Sequence, residues 1–210
     1  MINQKEFFNL LGQIRLYSLA DFIILFVALS TSKYYLIGAI FLHIGFLLFL
    51  EKEHHHRYRK AFPKYSWVVT TLIGLIFLHN FAAFCFLFFS YLYSKKNISF
   101  IGVFSPFIRG LQSYFIAASI VGFSSSVAFL AFGLLTVRNF TGDLRDVKKD
   151  RKEGMHTLPV ILGIKRDFKN IHLIALFLTS TVWWAMADIS ILWLALIFII
   201  QILTYDLTPR

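Results

Sequence analysis

The 210-residue chain has one cysteine, Cys85, so an internal disulfide is excluded and cysteine usage does not report the redox compartment. Cys85 sits in an apolar run, where a thiol behaves as a small hydrophobe. A secretory signal is also missing: Lys5, Glu6 and Arg15 precede the first apolar run and no small-residue cleavage site follows it, so that run reads as a retained helix. No fixed-period repeat, low-complexity tract or linker divides the sequence, and a single domain over 1–210 is expected. Aspartate is absent from residue 22 through residue 142.

Apolar surface is what the chain has in excess. Hydrophobic residues make up 58% of it and aromatic residues 18%, with 25 phenylalanines. A water-soluble domain of this length has no use for so much, and the runs are apolar all round rather than along one stripe, which suits lipid as the solvent. Runs bounded by charge or turn residues predict an all-α, polytopic bundle with spans near 17–31, 35–50, 66–79, 81–93, 99–120, 124–137, 170–187 and 189–205. The stretch 66–93 is long for one span and short for two, and His79-Asn80 is the expected break. With eight helices and a cytoplasmic start, 19 of the 21 Lys and Arg residues fall on the cytoplasmic side, whereas one helix at 66–93 would divide them between the two faces. The expected protein is therefore integral and multi-pass, with its basic loops and N-terminus cytoplasmic. The formal charge of +10 reads as a topology signal and an attraction to anionic membrane lipid. Nucleic-acid binding is not expected, because no basic–aromatic soluble module is present.

One polar stretch is too charged for an idle turn. Residues 138–163 contain Asp143, Asp146 and Asp150, spaced by three and four, which on a helix share one face. Three stacked carboxylates repel one another unless a cation neutralises them, and oxygen donors suit Mg²⁺, which is commonly bound together with substrate phosphates. Arg145, Lys148, Lys149, Arg151 and Lys152 lie between and after the acids, and such groups suit phosphate oxygens. The bland alternative is a solvated charged helix extending past a span. Gly154 and Thr157-Leu158-Pro159 then end the charged helix and turn the chain toward the next span.

The segment from Gly142 through Asp143, Asp146, Asp150, Gly154 and Thr157-Leu158-Pro159 to Gly163 resembles the second aspartate-rich motif of the UbiA superfamily of intramembrane prenyltransferases. The resemblance implies a helical membrane bundle that transfers an isoprenoid chain from its diphosphate to a lipophilic acceptor, aromatic or lipid, using Mg²⁺. It gives Asp143, Asp146 and Asp150 the metal and catalytic role and makes Arg151 and Lys152 phosphate partners, beside Arg145, which the spacing already offers to phosphate. Tyr93-Ser94-Lys95-Lys96 resembles the family's short tyrosine–lysine loop, so Lys95 or Lys96 would contact diphosphate and Tyr93 would orient acceptor or phosphates. A basic juxtamembrane anchor with interfacial tyrosines is the alternative for that loop.

The first aspartate-rich motif of the family is missing. Where it would lie the chain reads Glu51-Lys52-Glu53-His54-His55-His56, so Glu51 and His55 stand at the expected acidic positions. Glu51 can ligate Mg²⁺ through oxygen, whereas imidazole favours softer metals. Two readings stay open: an enzyme with an altered metal shell, or a non-catalytic relative that binds lipid or serves as a scaffold subunit. The family's ninth helix has no counterpart, and either a lipid-facing gap or a partner subunit is expected in its place. A CDP-alcohol phosphotransferase would need an Asp-Gly…Ala-Arg stretch ahead of the acids, and none is present.

Polar residues within the apolar runs complete the candidates. Asp21 lies near the start of the first run, where it is either functional or interfacial. Arg109 and Gln112 fall in a run that Pro106 and Gly110 are expected to kink toward a cavity, with Arg109 contacting an aspartate or a substrate headgroup. The Phe-rich stretch 81–89 faces lipid or walls an isoprenoid tunnel.

Overall fold

The computed structural model describes residues 20, 22, 25, 26, 29, 32–53, 63–186 and 189–205. Asp21 and His55 lie outside the described residues. The described residues are all-helical, in ten helices and no strand. We label these α1 (Lys33–Glu53), α2 (Ser66–Phe77), α3 (Phe81–Ser94), α4 (Ser99–Val103), α5 (Ser105–Val121), α6 (Ser126–Arg145), α7 (Val147–Lys152), α8 (Leu158–Ile161), α9 (Lys169–Met186) and α10 (Ile191–Thr204). Two of them, α1 and α6, are long and apolar enough to cross a membrane; α2, α3 and α10 are shorter apolar helices.

The residues form two compact units. The first holds the chain up to His79 together with α10. In it α1 lies against α2 by way of small residues: a Cβ on Gly74 would come within 2.8 Å of the Leu42 backbone nitrogen, and one on Gly38 within 2.7 Å of the Phe77 Cβ. Backbones can approach this closely only where side chains are absent, which is how helices associate when apolar burial does not drive them together. His43 is fully buried on α1 and stacks on Phe22, ring centroids 3.6 Å apart.

The second unit runs from Asn80 to Met186 and contains the acidic segment. The expected break at His79-Asn80 is present. Asn80 caps α3 by accepting from the Ala83 amide at 3.0 Å, and its side-chain amide donates to the Ser119 carbonyl at 2.8 Å. A cap of this kind satisfies a backbone donor that the helix itself leaves open. Along α3, Ala82, Ala83 and Phe86 are buried while Phe81, Phe84 and Phe88 are exposed, so the Phe-rich stretch mostly faces outward.

The second unit departs from the sequence-based expectation in three respects. The run 99–120 is two helices divided at Phe104, rather than one kinked helix, because Pro106 sits in the first turn of α5, where its fixed φ and missing N–H start a helix well. Gly110 is a contact point between helices: a Cβ there would stand 2.0 Å from Thr136 Oγ1 and 2.8 Å from the Phe132 carbonyl, so α5 and α6 meet at that residue. Finally, α6 continues past 137 to Arg145 and carries Asp143 within it. Asp146 then interrupts the helix, with φ −106° and ψ 19°, before α7 resumes. The three aspartates therefore do not share one uninterrupted helix, although the Asp146 and Asp150 amides still bond four residues back, to Gly142 at 3.1 Å and to Asp146 at 2.8 Å.

Candidate functional site

Asp143 sits near the end of α6, buried among helices, and does not face solvent as a charged helix surface would. A carboxylate in that position is costly unless it is paired and hydrogen-bonded. Both of its oxygens are met. Lys96 Nζ donates to Oδ1 at 2.8 Å, and Ser105 Oγ, the first residue of α5, donates to Oδ2 at 3.0 Å. The Lys96 and Asp143 side chains are only 9% and 5% exposed, so this pair lies inside the unit rather than on its surface.

Lys96 comes from the four-residue connection between α3 and α4, and that connection is pinned. Its carbonyl accepts from the His156 amide at 3.1 Å, and the Asn97 carbonyl lies 2.6 Å from His156 Nδ1. Gly102 makes the pinning possible: a Cβ there would lie 2.5 Å from the His156 carbonyl oxygen and 2.6 Å from that of Lys96. Gly154, at φ +70°, turns the chain after α7 and brings residues 155–157 back against this loop.

Asp150 on α7 faces the same place. Thr157 Oγ1 donates to its Oδ2 at 3.1 Å. Burial pushes the Asp150 carboxyl up to about 7; Lys96 opposes that shift, and the neighbouring Asp143 and Asp146 add to it. Burial is the largest influence on the Lys96 ammonium and pulls it down, but Asp143, Tyr93 and Asp150 together outweigh it and hold the group above the ordinary lysine range. Asp146 turns elsewhere. Burial raises its carboxyl, yet Arg145, with Lys149 and His172 adding to it, outweighs that and holds the group below the usual carboxylate range. Arg145 Nε donates to Asp146 Oδ1 at 2.8 Å, and a second bond joins Arg145 Nη2 to Asp146 Oδ2. This forked pairing is the geometry guanidinium offers a carboxylate.

These shifts have a consequence for stability in the absence of divalent metal. Asp150 holds its proton in the folded chain up to about pH 7 but releases it near 3.8 when unfolded. Between those values the folded state binds more protons, so stability declines as pH rises from about 4 to about 7. Asp146, with its lowered carboxyl, acts in the opposite sense and at lower pH, losing its contribution as pH falls below the ordinary 3.8. Unfolding midpoints measured in chelator across this range should show the decline, and Asp150→Asn should flatten it; an equal slope in the variant would assign the decline to other groups.

A second polar run continues from Lys96 among α3, α5 and α6. Lys96 Nζ lies 4.5 Å from the centre of the Tyr93 ring, and the Arg109 guanidinium lies 5.8 Å from it. Tyr93 donates its phenolic proton to Asn139 Oδ1 at 2.7 Å. Buried Arg109 bonds Gln112, and Gln112 bonds Ser90. Arg109 is thus engaged by Gln112 and the Tyr93 ring.

The remaining candidates fall elsewhere. Lys95 lies over the Tyr91 ring at 5.2 Å, so of the two adjacent lysines Lys96 is the one brought to the acids. Arg151 is exposed and donates to the Ile164 carbonyl at 2.6 Å, and Lys152 is exposed on the same short helix. Glu51 is buried in the last turn of α1, which belongs to the first unit. Three residues that sequence reasoning did not single out take part. Ser105 and Thr157 each cover an aspartate oxygen, and buried His172 on α9 lies beside Gly142, close enough for its charge to act on Asp146. Thr157 was visible within the Thr-Leu-Pro turn; Ser105 and His172 carry no local signal.

Among the described residues, no three His, Cys, Asp or Glu side chains are grouped so as to hold a metal ion. The donor chemistry of three carboxylates suits Mg²⁺, but in this arrangement an ammonium and a guanidinium already lie on the oxygens of Asp143 and Asp146. Searches against protein-family models, curated proteins and solved structures each return no match for this chain.

Proposed function

We propose that this chain is a multi-pass membrane transferase that moves an isoprenoid chain from its diphosphate to a lipophilic acceptor, with Mg²⁺ as cofactor. The observation that carries the reading is the cluster of buried Asp143 and Lys96 with half-buried Asp150, set at the end of a helix apolar and long enough to cross a membrane. Ionisable groups concentrated at the end of such a helix point to a functional site. Asp143, Asp146 and Asp150 are the residues that would hold Mg²⁺; the bound ion would supply positive charge against a departing diphosphate. Lys96 would present its ammonium to the same diphosphate oxygens. The apolar residues of α3, α5 and α6 keep water from an allylic carbocation, and Tyr93 offers its ring face to positive charge. The proposal includes the eight-span, UbiA-like topology with basic loops toward the cytoplasm.

One observation favours a second reading, a non-catalytic membrane protein that binds lipid or supports a partner. Each acid already has a partner within the chain: Lys96 and Ser105 for Asp143, Arg145 for Asp146, Thr157 for Asp150. All three acids are hydrogen-bonded within the chain without a metal. Purified chain in lipid nanodiscs, given a labelled isoprenoid diphosphate and a panel of lipophilic acceptors, separates the two. Transfer that requires Mg²⁺ and is lost in Asp146→Ala is the expected result. No transfer together with no Mg²⁺-dependent binding of the diphosphate would establish the second reading.

A further inference from the structure

We infer that the turn carrying Ile161 and Leu162 is a docking surface for anionic membrane lipid. The two aliphatic side chains enter the headgroup layer, and the basic residues of 148–152 and 165–166 around them meet lipid phosphates. The inference rests on the proposed placement of the chain in a membrane, not on its transfer chemistry, and uses none of the three acids.

The turn is built to hold its shape. Residues 158–161 form the short helix α8, with Pro159 in its first turn. Its end is closed by two bonds: the Gly163 amide to the Val160 carbonyl at 3.1 Å and the Ile164 amide to the Pro159 carbonyl at 3.1 Å. Gly163 supplies the left-handed residue, at φ +76°, that such a closure requires. Thr157 and Pro159 are buried, whereas Ile161 and Leu162 are 48% and 68% exposed. A loose loop could fold two adjacent aliphatic side chains away from water, but this closure holds them out.

Two stretches of chain assemble the charge around them. The Lys148 amide bonds Asp167 Oδ1 at 2.8 Å, and Arg151 Nη2 bonds the Ile164 carbonyl at 2.6 Å, so α7 lies beside the segment that follows the turn. Lys148, Arg151, Lys152, Lys165 and Arg166 are all exposed there, against Glu153 as the one exposed acid of the same segment. The surface is therefore cationic with an aliphatic tip, the composition that seats in an anionic lipid interface.

Its position in the fold matches that depth. The 20 residues of α6 are apolar and long enough to cross a membrane. The Phe168 amide bonds the Leu144 carbonyl at 3.0 Å, which fastens the basic segment to the last turn of that helix. The end of a spanning helix lies among headgroups, where basic side chains reach phosphate and aliphatic ones reach the acyl boundary. An acidic soluble protein would offer the same charge complement, but it would compete for a surface that the lipid already touches.

The test uses the full chain in nanodiscs, with Cys85→Ala removing its one native cysteine. A single environment-sensitive fluorophore is placed at Leu162→Cys or, as a control within α6, at Val137→Cys, where the native side chain is 51% exposed. In discs of phosphatidylcholine with phosphatidylglycerol, the dye at 162 should be quenched by lipid spin-labelled near its headgroup. The neutral quencher acrylamide should reach it about threefold less well than in discs of phosphatidylcholine alone. Lys165→Glu with Arg166→Glu should restore the access, and so should high salt. The dye at 137 should be quenched by spin-labelled lipid in both kinds of disc.

Equal acrylamide access at 162 in both discs, with the dye at 137 still quenched by lipid, would overturn the docking and leave the membrane placement standing. Shielding at 162 without quenching by spin-labelled lipid would mean that protein covers the turn, which overturns it as well. Lipid quenching at 162 that ignores both disc composition and charge reversal would assign the contact to the aliphatic pair alone and overturn the role of anionic lipid. A dye at 137 that spin-labelled lipid does not reach would bring down the membrane placement, and the docking with it.

Discussion

Asp143→Ala is expected to destabilise the folded chain by about 3–5 kcal/mol, because it strands a buried lysine rather than merely removing a contact. Lys96 is 9% exposed at its side chain and its ammonium rests on Asp143 at 2.8 Å. Without the carboxylate, the ammonium must deprotonate in the interior or break out through the loop that His156 holds. Exposed ion pairs behave differently, with losses near or below about 1 kcal/mol, since water takes over when a partner is deleted. Stranding also predicts non-additivity. Lys96→Met alone leaves Asp143 buried with the Ser105 hydroxyl as its donor, and the double variant leaves neither charge. The double variant should therefore be more stable than Asp143→Ala, a coupling that denaturant unfolding of the four proteins in one detergent would measure. Additive losses would mean that the pair is solvated in solution and the cluster is a surface feature. Catalytic loss in Asp143→Ala is expected too, but it is interpretable only beside Lys96→Met/Asp143→Ala, where the fold is restored and the acid is still missing.

The parts of this site that were legible in the sequence are local ones. Acids spaced by three and four, followed by a glycine and Thr-Leu-Pro, can be read within one window, and they do converge with the short lysine loop. The partner of Asp143 is another matter. Lys96 lies 47 residues earlier, and neighbouring Lys95 carries the same local signal yet lies over Tyr91. Only the placement of α4 against residues 155–157 decides between them, and no periodicity encodes it. The interruption at Asp146 was hidden for a related reason. Nothing in Leu-Arg-Asp-Val-Lys breaks a helix by propensity, so tertiary bonds set the register: the Phe168 amide to the Leu144 carbonyl at 3.0 Å and the Lys148 amide to Asp167 Oδ1 at 2.8 Å. The break at His79-Asn80, by contrast, needed only a capping residue between two apolar runs. Pro106 signalled a boundary that was read as a kink, because a proline inside a long apolar run fits either until the preceding residues are seen to form their own turn. The basic residues carried less than their number suggested: Arg145 is consumed by Asp146 and Arg151 by a carbonyl, roles that charge alone does not distinguish from phosphate binding.

Gly102→Ala should cost about 1–3 kcal/mol and disturb the lysine loop most, because the added methyl meets backbone that cannot turn away. Its Cβ would fall 2.5 Å from the His156 carbonyl oxygen and 2.6 Å from the Lys96 carbonyl oxygen. A side chain in the way could adopt another rotamer, but here α4 must withdraw, and the bond from the His156 amide to Lys96 at 3.1 Å lengthens or breaks. Lys96 and Thr157 sit on the two strands of chain that this bond joins, one bonded to Asp143 and the other to Asp150. Separating them pulls the two halves of the cluster apart, so the methyl should weaken diphosphate binding as well as lower the unfolding midpoint. Gly133 provides the control. It lies on α6 with nothing within 4 Å of an added Cβ, so Gly133→Ala should be neutral or slightly stabilising through its helix preference. Amide exchange at His156 followed by mass spectrometry reads the bond directly: faster exchange in Gly102→Ala and unchanged exchange in Gly133→Ala are expected. Unaltered His156 protection in Gly102→Ala would mean that α4 does not hold the loop, and that the pairing of Lys96 with Asp143 needs only the ion pair itself.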